Sequence, residues 1–494
     1  MEFDKDLRSI QEVRHLVERA KAAQKEYAAF SQEQVDAIAA AVTKACEGEC
    51  ERLAKMAVEE TGFGVWQDKV LKNTLGSTLT WQAIKDQKTV GILSQNDGVW
   101  EVAVPVGVVA ALIPSTNPTS TTMYKSLIAL KAGCAIIISP HPGAKNCTIA
   151  AFEVIRKAAA AAGAPADIVQ CVTTPTQEGT SALLKHRDIG LILATGGEAM
   201  VRAAYMSGNP ALGVGPGNGP AYIEKSADIP TAVRRIFDSK TFDNGTICAS
   251  EQSIVTEQCV RDKVIEACKQ QGGYFLSPDE SEKVGRFIMR ANGTMNPKIV
   301  GRTAQQIADM AGITVPPGTR VLISPQTEVG KGNPYSREKL CPILAFYVES
   351  GWESACLRCM EILHTEGVGH TMTIHSDDMS VIREFALKKP VSRLLVNTPG
   401  ALGGVGATTD LAPALTLGCG AVGGSATSDN VGPQHLINIR RVAFGKKELQ
   451  DLRPAHPAPR SCTCTAPQND QFASALSRED IEAITRAVLA RLGK

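Results

Sequence analysis

Residues 99–118 read VWEVAVPVGVVAALIPSTNP, and the chain continues as TTMYKSLIALKAG (121–133), CAIIISP (134–140), TIAAFEVIRKAAAAAGAP (148–165) and IGLILATGG (189–197). The first stretch is β-rich, with Pro105 better suited to an edge or a bend than to a central strand. Then come a helix-like segment, a short apolar run, an alanine-rich helix ending at Gly163, and an apolar run that stops on glycines. A chain that repeats strand and helix in this way covers both faces of a parallel sheet. The segment therefore predicts a doubly wound α/β domain.

Upstream, apolar residues recur at helical spacing through Val13, Leu16, Val35, Ile38 and Val42, so the first 90 or so residues read as helices. Downstream, a second α/β unit runs from about Ile236 to Gly424, with strands in SIVTE, AFYVE and RLLVN. The glycine-rich stretches 401–410 and 416–430 point to close backbone approach. Residues 451–475 are rich in Pro, Ser, Thr and Asn and read as a linker to a last helix. The expected boundaries are 1–235, 236–424, 425–450, 451–475 and 476–494.

With 494 residues and 44% hydrophobic content, the chain is long enough for two or more cores. Lys plus Arg number 52 against 51 for Asp plus Glu, which leaves no field to attract nucleic acid or an anionic membrane surface. A small-molecule ligand is expected. No apolar run approaches the roughly 20 residues of a membrane span, and MEFDKDLRSI lacks the layout of a secretory signal, so the cytoplasm is the predicted location. Fourteen cysteines are too dilute for a disulfide scaffold. Cys356 and Cys359 form a lone CxxC with no second pair, which predicts helix packing and no metal. Cys462 and Cys464 fall in the linker and carry no assigned role.

One cysteine stands apart. In SKTFDNGTICASEQSIVTE (239–257), Cys248 lies between a glycine-containing turn and a β-like run, where a thiol is exposed to substrate. Thiolate chemistry there requires a depressed pKa or a nearby base; an inert buried cysteine is the alternative. Thr195, Gly196 and Gly197 follow a strand and open a helix (EAMVRAAYM, 198–206), the geometry in which backbone N–H groups meet a phosphate, or else an ordinary turn. No GxGxxG fingerprint follows the first strand.

Four segments taken together, FDNGTICASEQ (242–252), IPSTNPTST (113–121), EKLCPILAFY (338–347) and TLGCGAVGGSATSDNVGPQHLINIRRVAF (416–444), resemble the aldehyde dehydrogenase superfamily. Within it the resemblance is to the CoA-acylating acetaldehyde and propionaldehyde dehydrogenases, and it covers about residues 5–445. It implies an aldehyde dehydrogenase fold: a Rossmann-like cofactor domain, a catalytic α/β domain, and a bridging hairpin near 99–111 that pairs with the late C-terminal segment in a homo-oligomer. The implied nucleophile is Cys248, and Asn117 would donate to the oxyanion, with turn chemistry before Pro118 as the alternative. His370, in HTEGVGHTMTIHS (364–376), would be the base, or a satisfied structural histidine. Glu338 would hold the nicotinamide ribose, or be a helix-end carboxylate.

The resemblance also carries two departures. Where hydrolytic members have a glutamate base in Glu-Leu-Gly-Gly, this chain has GVGPGNGPAYIE (213–224), with no carboxylate before Glu224. Water attack would then be slow, which favours a thiol acceptor. Where they have Lys-Pro, SPHPGAK (139–145) places Pro140, His141 and Pro142, implying a site that takes NAD and the adenosine end of coenzyme A in turn and leaving NAD against NADP open. The implied reaction turns aldehyde, CoA and NAD+ into acyl-CoA and NADH, with propionaldehyde or acetaldehyde as substrate. The final LSREDIEAITRAVLARLGK (476–494) is capped at Ser477 and puts Ile481, Ile484, Val488 and Leu492 on one face. Similar tails direct enzymes to the shell or core enzymes of bacterial microcompartments, so the microcompartment lumen is expected; docking on the enzyme itself is the alternative. The rival readings are a hydrolytic dehydrogenase and a noncatalytic microcompartment assembly protein.

Overall fold

Parallel strands buried on both faces cannot alternate polar with apolar, and VVAALI and AIIISP obey that rule: every residue of both runs is buried. In the computed structural model, which describes residues 4–290, 292–453 and 477–491, the first seven strands are β1 (Ile92–Gln95), β2 (Val99–Pro105), β3 (Val108–Ile113), β4 (Ala135–Pro140), β5 (Val169–Cys171), β6 (Ile189–Thr195) and β7 (Ala211–Val214). Strands β3 to β7 form a parallel sheet in the order β5-β4-β3-β6-β7. The order reverses between β3 and β6, so the loops leaving those two strands diverge and open a crevice at their carboxyl ends.

A second parallel sheet follows, built from β8 (Gly219–Ile223), β9 (Glu251–Glu257), β10 (Gly273–Phe275), β11 (Val321–Pro325), β12 (Ile343–Glu349), β13 (Gly369–His375) and β14 (Val391–Val396). Its order is β10-β11-β12-β9-β8-β13-β14. The doubly wound architecture read from the sequence is present twice. The chain passes from the first sheet to the second between β7 and β8, across 215–218. Strands of four and five residues inside a Gly- and Pro-rich run carry too little pattern to be seen.

The expected hairpin lies earlier than 99–111, and its expected pairing with the late C-terminal segment is present. β1 pairs with β2 antiparallel, and β15 (Ile437–Ala443) pairs with all seven residues of β2, from Pro105 back to Val99. β2 is thus the central strand, and Pro105 stands at its end, at the bend that was one of the two places expected for it. The chain turns at Gly107, whose φ of +104° suits glycine, and Val108–Ile113 enters the parallel sheet instead of the hairpin.

Helices then cover the sheets. The helix Gln32–Thr61 opens with a Ser31/Gln34 capping box and closes on left-handed Gly62. Helix Trp66–Thr74 runs through a π-helical turn, Leu75–Leu79, into Thr80–Ile84; such turns are frequent at functional sites. Helix Pro118–Lys131 is buried along its whole length, and most of its polar residues are matched internally, the hydroxyls of Thr121 and Ser126 excepted. Thr122 donates to Pro118 O, Thr119 to Asn73 Oδ1, and Lys125 Nζ to Leu112 O and Leu193 O at 2.8 and 2.9 Å, near the ends of β3 and β6.

Residues 444–494 form a separate unit. Its described part includes the helix Arg478–Arg491, preceded by Ser477, whose hydroxyl and backbone N–H both donate to Asp480 Oδ2. The linker beyond residue 453, Cys462, Cys464 and Leu492 lie outside the described residues. Among the described residues, no helix is long and apolar enough to cross a membrane, and no cluster of three His, Cys, Asp or Glu side chains has metal-binding geometry.

Candidate active site

The crevice at the ends of β3 and β6 opens into a cavity of about 690 Å³ that also receives the turn before β9. Of the residues singled out in the sequence, Asn117, His141, Thr195, Gly196, Gly197, Cys248 and Glu338 line it. Pro140, Pro142 and His370 do not.

The cysteine is delivered by an unusual turn. After the helix Ile229–Thr241, Asp243, Asn244 and Gly245 take φ values of +50°, +50° and +76°, three left-handed residues in succession. Two of them are not glycine, and such residues cost about 1–3 kcal/mol each, so the surroundings must hold them. Asp243 is the clamp. Its Oδ1 accepts from Val65 N at 2.8 Å, and its Oδ2 accepts from Lys69 Nζ at 2.8 Å, Lys72 Nζ at 2.5 Å and Thr246 Oγ1 at 2.5 Å. Both lysines and Asp243 are buried. Below the turn, a Cβ on Gly217 would sit 1.8 Å from the carbonyl oxygen of Cys248, so only glycine allows the two segments to approach.

Cys248 is partly buried, and burial pushes its thiol up to about 12, with Glu338 and Cys419 adding to the shift and Arg393 opposing it. Of the two routes to a thiolate open in the sequence, a depressed pKa is absent here. A base must take the proton. Glu338 is a carboxyl within the same cavity: its Oε1 accepts from Gly217 N at 2.9 Å, and burial, with Glu366 beside it, raises it to about 8. His370, at the start of β13, is buried with Nδ1 2.9 Å from Thr371 Oγ1 and Nε2 without a partner. Burial and then Arg393 push it down to about 3, so its ring is neutral and weakly basic at neutral pH.

Asn117 caps the helix Pro118–Lys131. Its Oδ1 accepts from Lys72 Nζ at 2.8 Å, and its Nδ2 donates to Thr246 O at 3.2 Å, two residues before Cys248, and to Thr116 Oγ1 at 3.3 Å. Glu224, the first carboxylate after β7, lies at the far end of β8, where Ser226 and Ser376 donate to it. It is not at the cavity.

Two helix N-termini face the crevice. That of Lys145–Ala161 is already filled: Glu60 accepts from Asn146 N at 2.8 Å and Cys147 N at 2.7 Å. That of Glu198–Tyr205 is open, with nothing within 4 Å of where a Cβ on Gly197 would lie. A dinucleotide's diphosphate fits the open end and not the filled one, because the N–H donors and dipole of the latter are spent on a carboxylate. Sequence reading missed Lys69, Lys72, Asp243 and Glu60. A signal existed for the lysines, which share one helical face with Asn73 at i, i+3 and i+4 and with it make up the buried side of the helix.

The profile of the aldehyde dehydrogenase family matches residues 7–312. The bifunctional aldehyde-alcohol dehydrogenase AdhE of Escherichia coli K12 is 47% identical over 442 residues, which cover 88% of this chain and 50% of that protein. The succinate-semialdehyde dehydrogenase (acetylating) of Clostridium kluyveri is 40% identical over 89% of this chain and 97% of its own length. The chain spans about half the length of the aldehyde-alcohol dehydrogenases it matches. Among solved structures, a probable aldehyde dehydrogenase of Listeria monocytogenes EGD-e superposes with a TM-score of 0.91 at 61% identity, covering 91% of this chain and 100% of that one. A propionaldehyde dehydrogenase from the fucose utilisation microcompartment of Clostridium phytofermentans superposes at 0.79 with 28% identity, covering 87% and 97%.

Proposed function

The chain belongs to the aldehyde dehydrogenase family, and from that premise we propose that it oxidises a short aldehyde with NAD through a Cys248 thioester and transfers the acyl group to coenzyme A. The observation that carries this reading is one cavity that joins Cys248, the Asn117 carboxamide and the open helix end at Gly196 and Gly197, while the segment 213–218 beside it holds no carboxylate. The acetylating activity in the name of the C. kluyveri relative supports it.

In the proposed reaction Cys248 Sγ adds to the aldehyde carbonyl, and the resulting oxyanion accepts from Asn117 Nδ2. A bound nicotinamide supplies a hydride acceptor for the carbon that becomes the thioester. Gly196 and Gly197 would hold its diphosphate and Glu338 its ribose; His141 would meet the adenosine end of NAD and of CoA in turn. The CoA thiol then attacks the thioester carbonyl, releasing Cys248. Glu338, a cavity carboxyl raised to about 8, is proposed to take a thiol proton; His370, expected from the sequence but off the cavity and weakly basic, is the second candidate. Loss of turnover in Glu338→Gln with His370→Ala unaffected would assign the base to Glu338.

Propionaldehyde or acetaldehyde is the proposed substrate, and the bacterial microcompartment the proposed location. The C-terminal helix would contact shell or core enzymes, and the β1-β2-β15 sheet would join subunits of a homo-oligomer. The propionaldehyde dehydrogenase of the C. phytofermentans microcompartment supports the substrate and the location. A hydrolytic reading is favoured by one observation, the cavity carboxyl of Glu338 held near 8. Both are tested by following NADH across an aldehyde series with and without CoA, together with mass spectrometry of protein given aldehyde and NAD alone. The acylating reading expects continued turnover only with CoA and an acyl adduct on Cys248 in its absence. Sustained turnover without CoA, or an adduct on another cysteine, overturns it.

A further inference from the structure

Lys72 is buried on the helix Trp66–Thr74, and it joins three segments that the sequence keeps far apart. Its Nζ donates to Asn117 Oδ1 at 2.8 Å after β3, and to Asp243 Oδ2 at 2.5 Å and Thr246 O at 3.0 Å in the nucleophile turn. A carboxamide has two nearly isosteric orientations, and the partner decides between them. An ammonium has only donors, so the amide oxygen must face Lys72 and the NH2 group must face away, toward Thr246 and the cavity. Thr246 O accepts from both Lys72 Nζ and Asn117 Nδ2, so the amide and the nucleophile turn are gripped at one point.

Charge adds to position. Lys69 and Lys72 both contact Asp243 Oδ2, two cations against one buried carboxylate. The other carboxyl in reach, Asp68, accepts from Asp243 N, and burial raises it above the usual carboxylate range. One lysine would be enough to neutralise Asp243 and hold the turn. The second leaves positive charge behind Asn117 whose desolvation is costly, burial lowering Lys72 to about 8 against the pull of Asp243, unless negative charge forms nearby.

We propose that Lys72 is a positioning residue of the oxyanion site, fixing the Asn117 carboxamide with its NH2 group on the cavity side, where an N–H released from Thr116 Oγ1 donates to the reacting carbonyl, and polarising it with positive charge from behind. This rests on the cysteine-thioester reading above. It makes Lys72 a determinant of acylation and leaves the CoA-dependent step and cofactor binding to other residues.

The test is a double-mutant cycle of Lys72→Met and Asn117→Ala in the full chain, reading the NADH burst without CoA, the aldehyde KM, and alkylation of Cys248 by iodoacetamide. Lys72→Met should slow the burst about 10- to 100-fold in the native background and less than about threefold in the Asn117→Ala background, because the two act as one unit. KM and the alkylation rate should stay within about threefold, since the turn keeps its Lys69–Asp243 pair. Full additivity of the two substitutions, an unchanged burst, or alkylation falling in parallel with the burst overturns the proposal, the last by assigning Lys72 a structural role alone. Should Lys72→Met fail to fold, Lys72→Gln, uncharged but still a donor, takes its place with the same expectations. A wild-type protein with no burst, or one acylated elsewhere, would mark the failure of the thioester reading instead.

Discussion

In the proposed reaction Cys248 loses a proton that its surroundings hold tightly. With burial and the neighbouring Glu338 both raising the thiol to about 12, its alkylation in the cofactor-free protein should keep rising with pH through about 9 without a plateau. Glu338→Gln should speed that alkylation at about pH 9, where the raised carboxyl is ionised and repels a thiolate, and leave it unchanged at about pH 6, where the carboxyl is already neutral. Mass spectrometry of Cys248 at the two pH values checks both, and a plateau near pH 7 would mean an activated thiolate. Asn117→Ala should lower kcat by about 100- to 1,000-fold, the effect of losing one oxyanion donor elsewhere. An effect confined to KM would return Asn117 to the turn chemistry that its place before Pro118 also allows. At this scale the sequence was informative about residue types and silent about their protonation, because a pKa depends on burial and on neighbours brought from other segments.

The element that matters most is the left-handed turn Asp243–Gly245. Its charged clamp explains how two non-glycine residues stay there, and it invites a substitution that separates strain from charge. Asp243→Asn keeps a residue that tolerates left-handed backbone but removes the anion facing Lys69 and Lys72. Breaking a buried pair from one side costs about 3–5 kcal/mol, so the midpoint of urea unfolding should fall accordingly. A loss under about 1 kcal/mol would mean that the lysines are satisfied by carbonyls alone. The elements themselves were largely legible: β3, β4 and β6 as uninterrupted apolar runs, the alanine-rich helix 145–161, the capped helix at Arg478–Arg491. The exceptions were short. β7 and β8 were hidden in a Gly- and Pro-rich run, and the hairpin was placed too late because Val99–Pro105 and Val108–Ile113 read as one β-rich stretch until Gly107 turns the chain.

At the level of the whole molecule, the two parallel sheets and the β1-β2-β15 sheet all lie within residues 1–443. A chain ending after residue 453 should therefore keep the proposed CoA-dependent NADH formation, while one ending before 437 strips β2 of its seven-residue partner and should yield little folded protein. Activity assays and thermal melts of the two truncations separate these outcomes; loss of activity in the longer one would tie the C-terminal unit to the fold. The sequence by itself showed the resemblance to the family, through four motif segments, and it determined the doubly wound architecture, because burial on both faces of a sheet and helical periodicity are written locally, residue by residue. Only the tertiary structure decided that Lys72 reaches Asn117 across 45 residues and Asp243 across 171, that Glu60 fills one helix end and leaves the other open, and that His370 lies off the cavity. Contacts of that range depend on the path of the backbone through both sheets, and a periodic pattern reports which face is buried without saying what it is buried against.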